Sequence, residues 1–419
     1  MREMKDSGID WIGTIPQDWQ LSKIGSLYTQ RNEKVSDKDY QPLSVTMQGI
    51  LPQLATAAKT NDGGNRKLVR VGDFAINSRS DRRGSCGISP LDGSVSLINI
   101  ILTPRTAMHP GYYNWLFHTT LFADEFYKWG HGIVADLWTT RWQEMKSITV
   151  PVPEYAEQER IAAFLDAECA EIDTVLEKTR ASIEEYKKLK QAVITQAVTK
   201  GIHGDRPMKD SGIEWIGDIP KEWDCKKVKY VTSISRGIFN HRPRNDERYY
   251  GGEYPFIQTG DVAGAQKYIE SYSQTLNELG KSVSKCFPKG TLTMTIAANV
   301  GDAAILGFDA FSPDSVVGFI PNADINDEYL YYIFKAMKPE FVRTAIKSTQ
   351  LNLNVERIRD LFVPVVVQKS EQLEIAEYLN TKCAGIDALI VKKQQYLIEI
   401  ENYKKSLIYE YVTGKKEVV

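Results

Sequence analysis

The chain has 419 residues, with 52 Lys and Arg against 54 Asp and Glu, for a formal net charge of −2 at pH 7. That length calls for two or more domains. The near-neutral charge excludes a polycation, so any nucleic-acid binding must use local basic patches or charge borrowed from a partner. No run of about 18 apolar residues is present, so no transmembrane helix is expected. Residues 1–10 are polar and lack the apolar core of a signal peptide.

The chain opens with Lys5-Asp6-Ser7-Gly8-Ile9-Asp10-Trp11-Ile12-Gly13, followed by Ile15-Pro16 and Trp19. Lys209-Asp210-Ser211-Gly212-Ile213-Glu214-Trp215-Ile216-Gly217, then Ile219-Pro220 and Trp223, repeats it. Two copies this similar imply an internal duplication, with units of roughly 1–204 and 205–419. The middles between the repeated parts differ more. Residues 72–77 read as a strand entering the polar loop 78–84, and 290–295 read the same way before 296–301. Segments 97–102 and 316–320 look like buried strands, and the aromatic-rich 112–126 and 329–341 look helical. Each middle is therefore expected to be a mixed α/β domain, and the fold class α+β. Pro151, Pro153 and Pro364 stop the last strand of each middle. Gly201, Gly204 and Pro207 mark the linker.

Residues 157–199 and 371–413 read as long helices. In the first, Leu165, Cys169, Ile172, Leu176, Thr179, Ile183, Tyr186, Leu189, Val193 and Ala197 recur in steps of three and four, a seam on one face. Adding 214 gives Leu379, Cys383, Ile386, Ile390, Lys393, Leu397, Ile400, Tyr403, Leu407 and Tyr411, so the seam returns in register with Lys393 as its polar break. A helix of about 43 residues spans ~65 Å. A helix that long with a narrow seam needs a partner, and the other copy is the evident one, in an antiparallel coiled-coil-like pair. Cys169 and Cys383 hold matching seam positions and read as packing residues. The five cysteines are scattered, with no CxxC spacing, and read as reduced thiols of a cytoplasmic protein. The expected division is 1–153, a first mixed domain; 154–204, helix and linker; 205–365, a second mixed domain; and 366–419, the second helix.

No enzyme constellation emerges. Gly280-Lys281-Ser282 resembles the end of a phosphate-binding loop, but Thr275 stands where that loop needs Gly. There is no GxGxxG, and the five histidines have no metal-ligand spacing. Polar loops carry the remaining signal. Arg79, Arg82 and Arg83 lie in one loop, and Thr140 and Arg141 in another. In the second middle, Arg242 and Arg244 lie among aromatic and amide residues, and Gln350 and Asn352 alternate with leucines. Arg pairs bidentately with guanine, and Asn or Gln with adenine. These are the candidate DNA-binding residues. The competing reading of each is a solvated loop residue.

The repeated opening motif, the Pro-Val-Pro stop, and the matching Glu157-Gln158 and Glu371-Gln372 helix starts occur in one order. Together they resemble the specificity subunits of type I restriction–modification systems over the whole chain. The resemblance implies two recognition domains that read the two halves of an asymmetric double-stranded DNA site, with the spacer set by the helices. It implies no catalysis by this chain. Two modification subunits would bring S-adenosylmethionine, and restriction–motor subunits ATP and Mg. The alternative is a coiled-coil scaffold whose two domains bind protein rather than DNA. A self-sufficient methyltransferase or nuclease is disfavoured by the missing motifs.

Overall fold

The computed structural model describes residues 2–53, 63–132, 138–241, 244–297, 299–347 and 351–418. It contains two compact units: Met1–Arg180 with Gln394–Val419, and Ala181–Lys393. These are not the two sequence repeats. Two helices, Tyr155–Lys200 of 46 residues and Lys369–Val412 of 44, each run from one unit into the other. Both begin two residues ahead of the sequence reading. The first ends at Gly201 (φ +77°) and the second two residues before Gly414 (φ +70°), in the left-handed conformation that lets glycine end a helix cheaply.

Within the first unit the two helix segments run antiparallel. Asp173 meets Lys404 at 2.6 Å, and the Phe164 and Tyr411 rings lie 4.4 Å apart. In the second unit Lys190 meets Asp387 at 2.5 Å, and the Lys393 ammonium sits 5.7 Å from the Tyr186 ring. Adding or subtracting 214 converts Lys190–Asp387 into Lys404–Asp173, so the duplication is kept at the level of single contacts. These exposed ion pairs contribute ~0–1 kcal/mol each; burial of the seam contributes more. Leu165 and Leu379 are fully buried, and Leu176, Ile183 and Ile390 nearly so. Ile172, Ile386 and Leu397 are half-buried.

One part of the expected seam is corrected. Leu189 is 49% exposed and its repeat mate Tyr403 55% exposed. A straight helix turns 3.6 residues, so a 3.5-residue pattern drifts across its face. By position 189 the inward set has become Lys190 and the buried Ile194.

Each unit has its own core, which the helix segments help to build. In the first unit, Ile161, Ala162, Leu165, Leu407 and Val412 pack with Trp11, Trp19, Tyr112 and Phe117. In the second, Ile194, Val198, Leu379 and Cys383 pack with Trp223, Tyr329 and Phe334. The central sheets correspond. In the first unit the strand order is Cys86–Ile88, Phe74–Asn77, Asn99–Pro104 and Tyr28–Arg31, all antiparallel. In the second it is Ala303–Leu306, Leu292–Thr295, Val316–Pro321 and Thr232–Arg236, with Tyr268–Ile269 added in parallel at the near edge. The aromatic segments form helices Pro110–Phe117 and Asp327–Ala336, as their pattern predicts.

The repeated motifs close on the helix starts. Glu157 accepts from the Trp19 indole at 2.9 Å and from Arg2 at 3.1 Å. Glu371 accepts from the Trp223 indole at 3.4 Å and also pairs with Arg206. Gln158 donates to the Pro153 carbonyl at 2.8 Å and accepts from the His109 amide at 2.9 Å. Gln372 does the same with Val366 and Asn326. Each Glu-Gln pair thus ties three distant segments to one helix end, and each Gln leaves no buried amide unmet.

Candidate nucleic-acid interface

The candidate loops 78–84 and 296–301 follow interior strands of these sheets. In the first unit the strand Phe74–Asn77 runs into a short 3-10 turn, Ser80–Arg82. Arg79 forms an isolated bridge with Thr139, and the Thr140 amide donates to the Ser78 carbonyl at 3.0 Å. The two stretches that the sequence singled out are therefore stitched together. Tyr127 holds the base of the turn by donating to the Asn77 carbonyl at 2.9 Å.

The second unit repeats this stitching with other side chains. Ala297, after the strand Leu292–Thr295, bridges Asn352, and the Leu353 amide donates to the Ile296 carbonyl at 2.8 Å. Asn352 belongs to a two-stranded hairpin, Ile346–Lys347 with Leu351–Asn352. It is exposed at the rim of a pocket of about 630 Å³, shared with Arg236, Ile296, Leu353 and Asn354.

The electrostatics of the candidate side chains differ. Arg79 is exposed, and its side chain has no ion-pair or hydrogen-bond partner among the described residues. Arg82 lies 3.8 Å from Asp81, and Arg83 pairs with Asp124. Arg244 pairs with Asp314, whose backbone carbonyl accepts from Arg236 at 2.5 Å. Pairs this exposed cost ~0–1 kcal/mol to open, so a guanine edge or a phosphate can take the carboxylate's place. The loop after Arg236 is held by His241, stacked on Tyr249 at 3.9 Å and 3.0 Å from Asp246. Arg248 and His241 hold the Asp246 carboxyl well below the usual carboxylate range.

Thr140 is a correction. It is fully buried, with its hydroxyl donating to the Phe126 carbonyl at 2.9 Å. A hydroxyl spent on the core cannot reach a base, so Thr140 is a strut beneath the loop. Arg141 beside it is exposed, with its amide donating to Glu144 at 2.9 Å. Arg242 and Gln350 lie outside the described residues. Arg236 and Asn354, which share the pocket with Asn352, were not among the sequence candidates. Asn354 caps the helix Val355–Asp360 by accepting from the Glu356 amide, and the sequence signal was the Asn-x-Glu spacing.

Residues 220–401 match the family model described as the type I restriction modification DNA specificity domain. The chain is 31% identical over 193 residues to the type I restriction enzyme MjaIX specificity subunit of Methanocaldococcus jannaschii, covering 44% of this chain and 43% of the relative. It is 23% identical over 429 residues to the MjaVIII specificity subunit of the same organism, covering 96% and 94%. The match thus spans less than half of the MjaIX subunit and nearly all of MjaVIII. Among solved structures, one described by complex assembly and conformational transition of the type I R-M system aligns at TM-score 0.75 with 14% identity, covering 96% of this chain and 99% of that one. The HsdS subunit from Thermoanaerobacter tengcongensis aligns at 0.52 with 16% identity, covering 96% and 98%. The fold is shared with those chains, and the resemblance read from the duplicated motifs is borne out. No described helix is long and apolar enough to cross a membrane.

Proposed function

We propose, for a chain that carries a type I restriction–modification DNA specificity domain, that it is the sequence-reading subunit of such a complex. The observation that carries this is the contrast between the two halves. The Glu157 and Glu371 clamps, the Gln158 and Gln372 ties and the Lys–Asp helix contacts repeat residue for residue. The loops those frames support do not repeat: Arg79, Arg82 and Arg83 stand in one, Ala297 and Asn352 in the other. One frame used twice under different loops suits the reading of an asymmetric, two-part DNA site. Double-stranded DNA is then the ligand, and the helices set the spacer.

The chain carries no catalytic step in this reading. Two modification subunits dock on the helices and supply S-adenosylmethionine and methyl transfer. Restriction–motor subunits supply ATP hydrolysis and Mg. The exposed apolar residues Val175, Leu189, Leu389, Tyr396 and Tyr403 on the helices support a protein partner there. The complex acts in the cytoplasm.

The test is a salt series with the full chain, alone and with the modification subunits of the same host, on a duplex carrying the host's methylated sequence. We expect weak binding by the chain alone and tight binding by the assembly, both falling linearly on a log–log salt plot. A chain and assembly that show no salt-dependent DNA binding would favour the protein-binding scaffold instead.

A further inference from the structure

A basic cluster lies where the second reading loop meets the helices. Lys335 lies in the last turn of the helix Asp327–Ala336. It is half-buried, and no carboxylate lies within ion-pair distance among the described residues. Its ammonium sits 5.8 Å from the Tyr331 ring, a contact that holds the stem but satisfies little of the charge. Two more lysines face it. Lys190 is engaged by Asp387 at 2.5 Å, and Lys338 pairs with Asp302. The groups around Lys335 are thus two ammoniums and two carboxylates, and both carboxylates are taken by the other lysines. Burial first, and then Lys338 and Lys190, lower its proton affinity against the opposing pull of Asp302 and Asp387. A lysine so placed lacks an anion.

The place is specific. Asp302 ends the loop 296–301, whose Ala297 bridges Asn352. A Cβ at Gly301 would stand 3.3 Å from the Lys338 stem. Gln191 fixes the helix end by donating to the Lys335 carbonyl at 3.2 Å. The cluster is therefore tied to the helix Tyr155–Lys200 through Gln191 and to the candidate loop through Asp302.

We propose that Lys335, flanked by Lys190 and Lys338, binds a backbone phosphate of the DNA next to the half-site read by the second domain. This rests on the DNA-reading function proposed above. The site is one-sided. Trp115 donates to Asp166, and Tyr332 to its repeat mate Asn380, so position 335 corresponds to His118. His118 lies with Nδ1 2.6 Å from the Asn114 carbonyl oxygen, and burial lowers its proton affinity, leaving it neutral near pH 7. Among the described residues the first unit therefore presents no cation at the matching position, and the complex grips the flank of one half-site more firmly than the other.

The test uses the full chain and a fluorescent random-sequence duplex of about 30 base pairs, titrated between about 50 and about 200 mM salt. Lys335→Met keeps the stem on Tyr331 and removes the charge; Lys335→Arg keeps the charge. The expected result is a log–log slope about 0.9 shallower for Lys335→Met and unchanged for Lys335→Arg, with melting curves like wild type. An unchanged slope in Lys335→Met overturns the proposal. If Lys335→Met then also fails to co-purify with the modification subunits, the missing anion is a carboxylate of that protein. A wild-type chain and assembly with no salt-dependent binding overturn the DNA-reading function itself, a result distinct from equal slopes.

Discussion

The two helix starts and the two candidate loops have had the same time to diverge from a duplication, yet they differ in opposite ways. At the helix starts, Trp19 and Trp223 donate to Glu157 and Glu371, and Arg2 and Arg206 close both clamps. Under the loops the backbone stitching is the same, Thr140 to Ser78 and Leu353 to Ile296, but the exposed side chains are unrelated. The repeated part fixes geometry, and the unrepeated part presents chemistry. A buried clamp tolerates little change because one altered partner strands a polar or charged group. An exposed loop side chain meets no such constraint.

The largest effect that tests this contrast is in the seam. Leu165→Ala and Leu379→Ala each delete a fully buried side chain and should cost about 2–5 kcal/mol, read by denaturant melts. The two costs should be similar, because the sites are repeat mates. The double replacement Ile172→Asp with Ile386→Asp should separate the paired helices, since it sets unpaired charges in an apolar seam. Wild-type-like melting and assembly of that variant would break the account of the frame.

Next come the clamps. Glu157→Gln should destabilise by about 2–3 kcal/mol, below the ~3–5 kcal/mol of a fully buried pair, because the Arg2 side chain remains 20% exposed. Glu371→Gln should do the same, as Arg206 is equally exposed. A cost at one clamp and none at the other would show that only one half still relies on it.

In the loops the expectation reverses. Arg79→Ala should leave the melt within about 0.5 kcal/mol and change DNA binding by ~1–3 kcal/mol, at one base if it reads an edge and at all sequences if it holds a phosphate. Thr140→Ala should do the opposite. It should cost about 1 kcal/mol of stability from the lost bond to Phe126, with base preference unchanged. A shift in preference without a stability change would return Thr140 to the readers.

The smallest effect is chemical. Burial pushes the Cys169 thiol up to about 11 and raises Cys383 and Cys286 as well, but of the three only Cys286 is open to a reagent. Near pH 8 an alkylating reagent should label Cys286 first and the two seam thiols slowly, with peptide mapping as the readout. Equal labelling would mean that the helix pair opens readily.

What the sequence made legible was set by local periodicity. The helices were readable to within two residues because apolar spacing is a local signal, and the central strands because they run between breakers. The Glu-Gln pair was visible as a repeat, but its role was hidden. Trp19 lies far from Glu157 in the chain, and His109 far from Gln158, so only the fold brings them together. Leu189 and Tyr403 were misplaced because a narrow pattern drifts around a real helix. Thr140 was misplaced because a threonine between a loop and a helix looks alike whether its hydroxyl faces water or Phe126. The basic cluster at Lys335 was not visible, since Lys190 and Lys338 reach it from other elements.

The central claim is that the frame is common and each domain reads alone. The fold supplies the joints for testing it: Gln20–Lys23 pairs with Thr149–Val152, so residues 20–150 leave and return through one strand pair. Replace them with the corresponding domain of another specificity subunit, co-express the chimera with the modification subunits, and map the methylated sites in the genome. The account predicts that one half of the recognised sequence changes, while the other half and the spacer stay. A change in both halves, or a spacer that shifts with the exchanged domain, would contradict it.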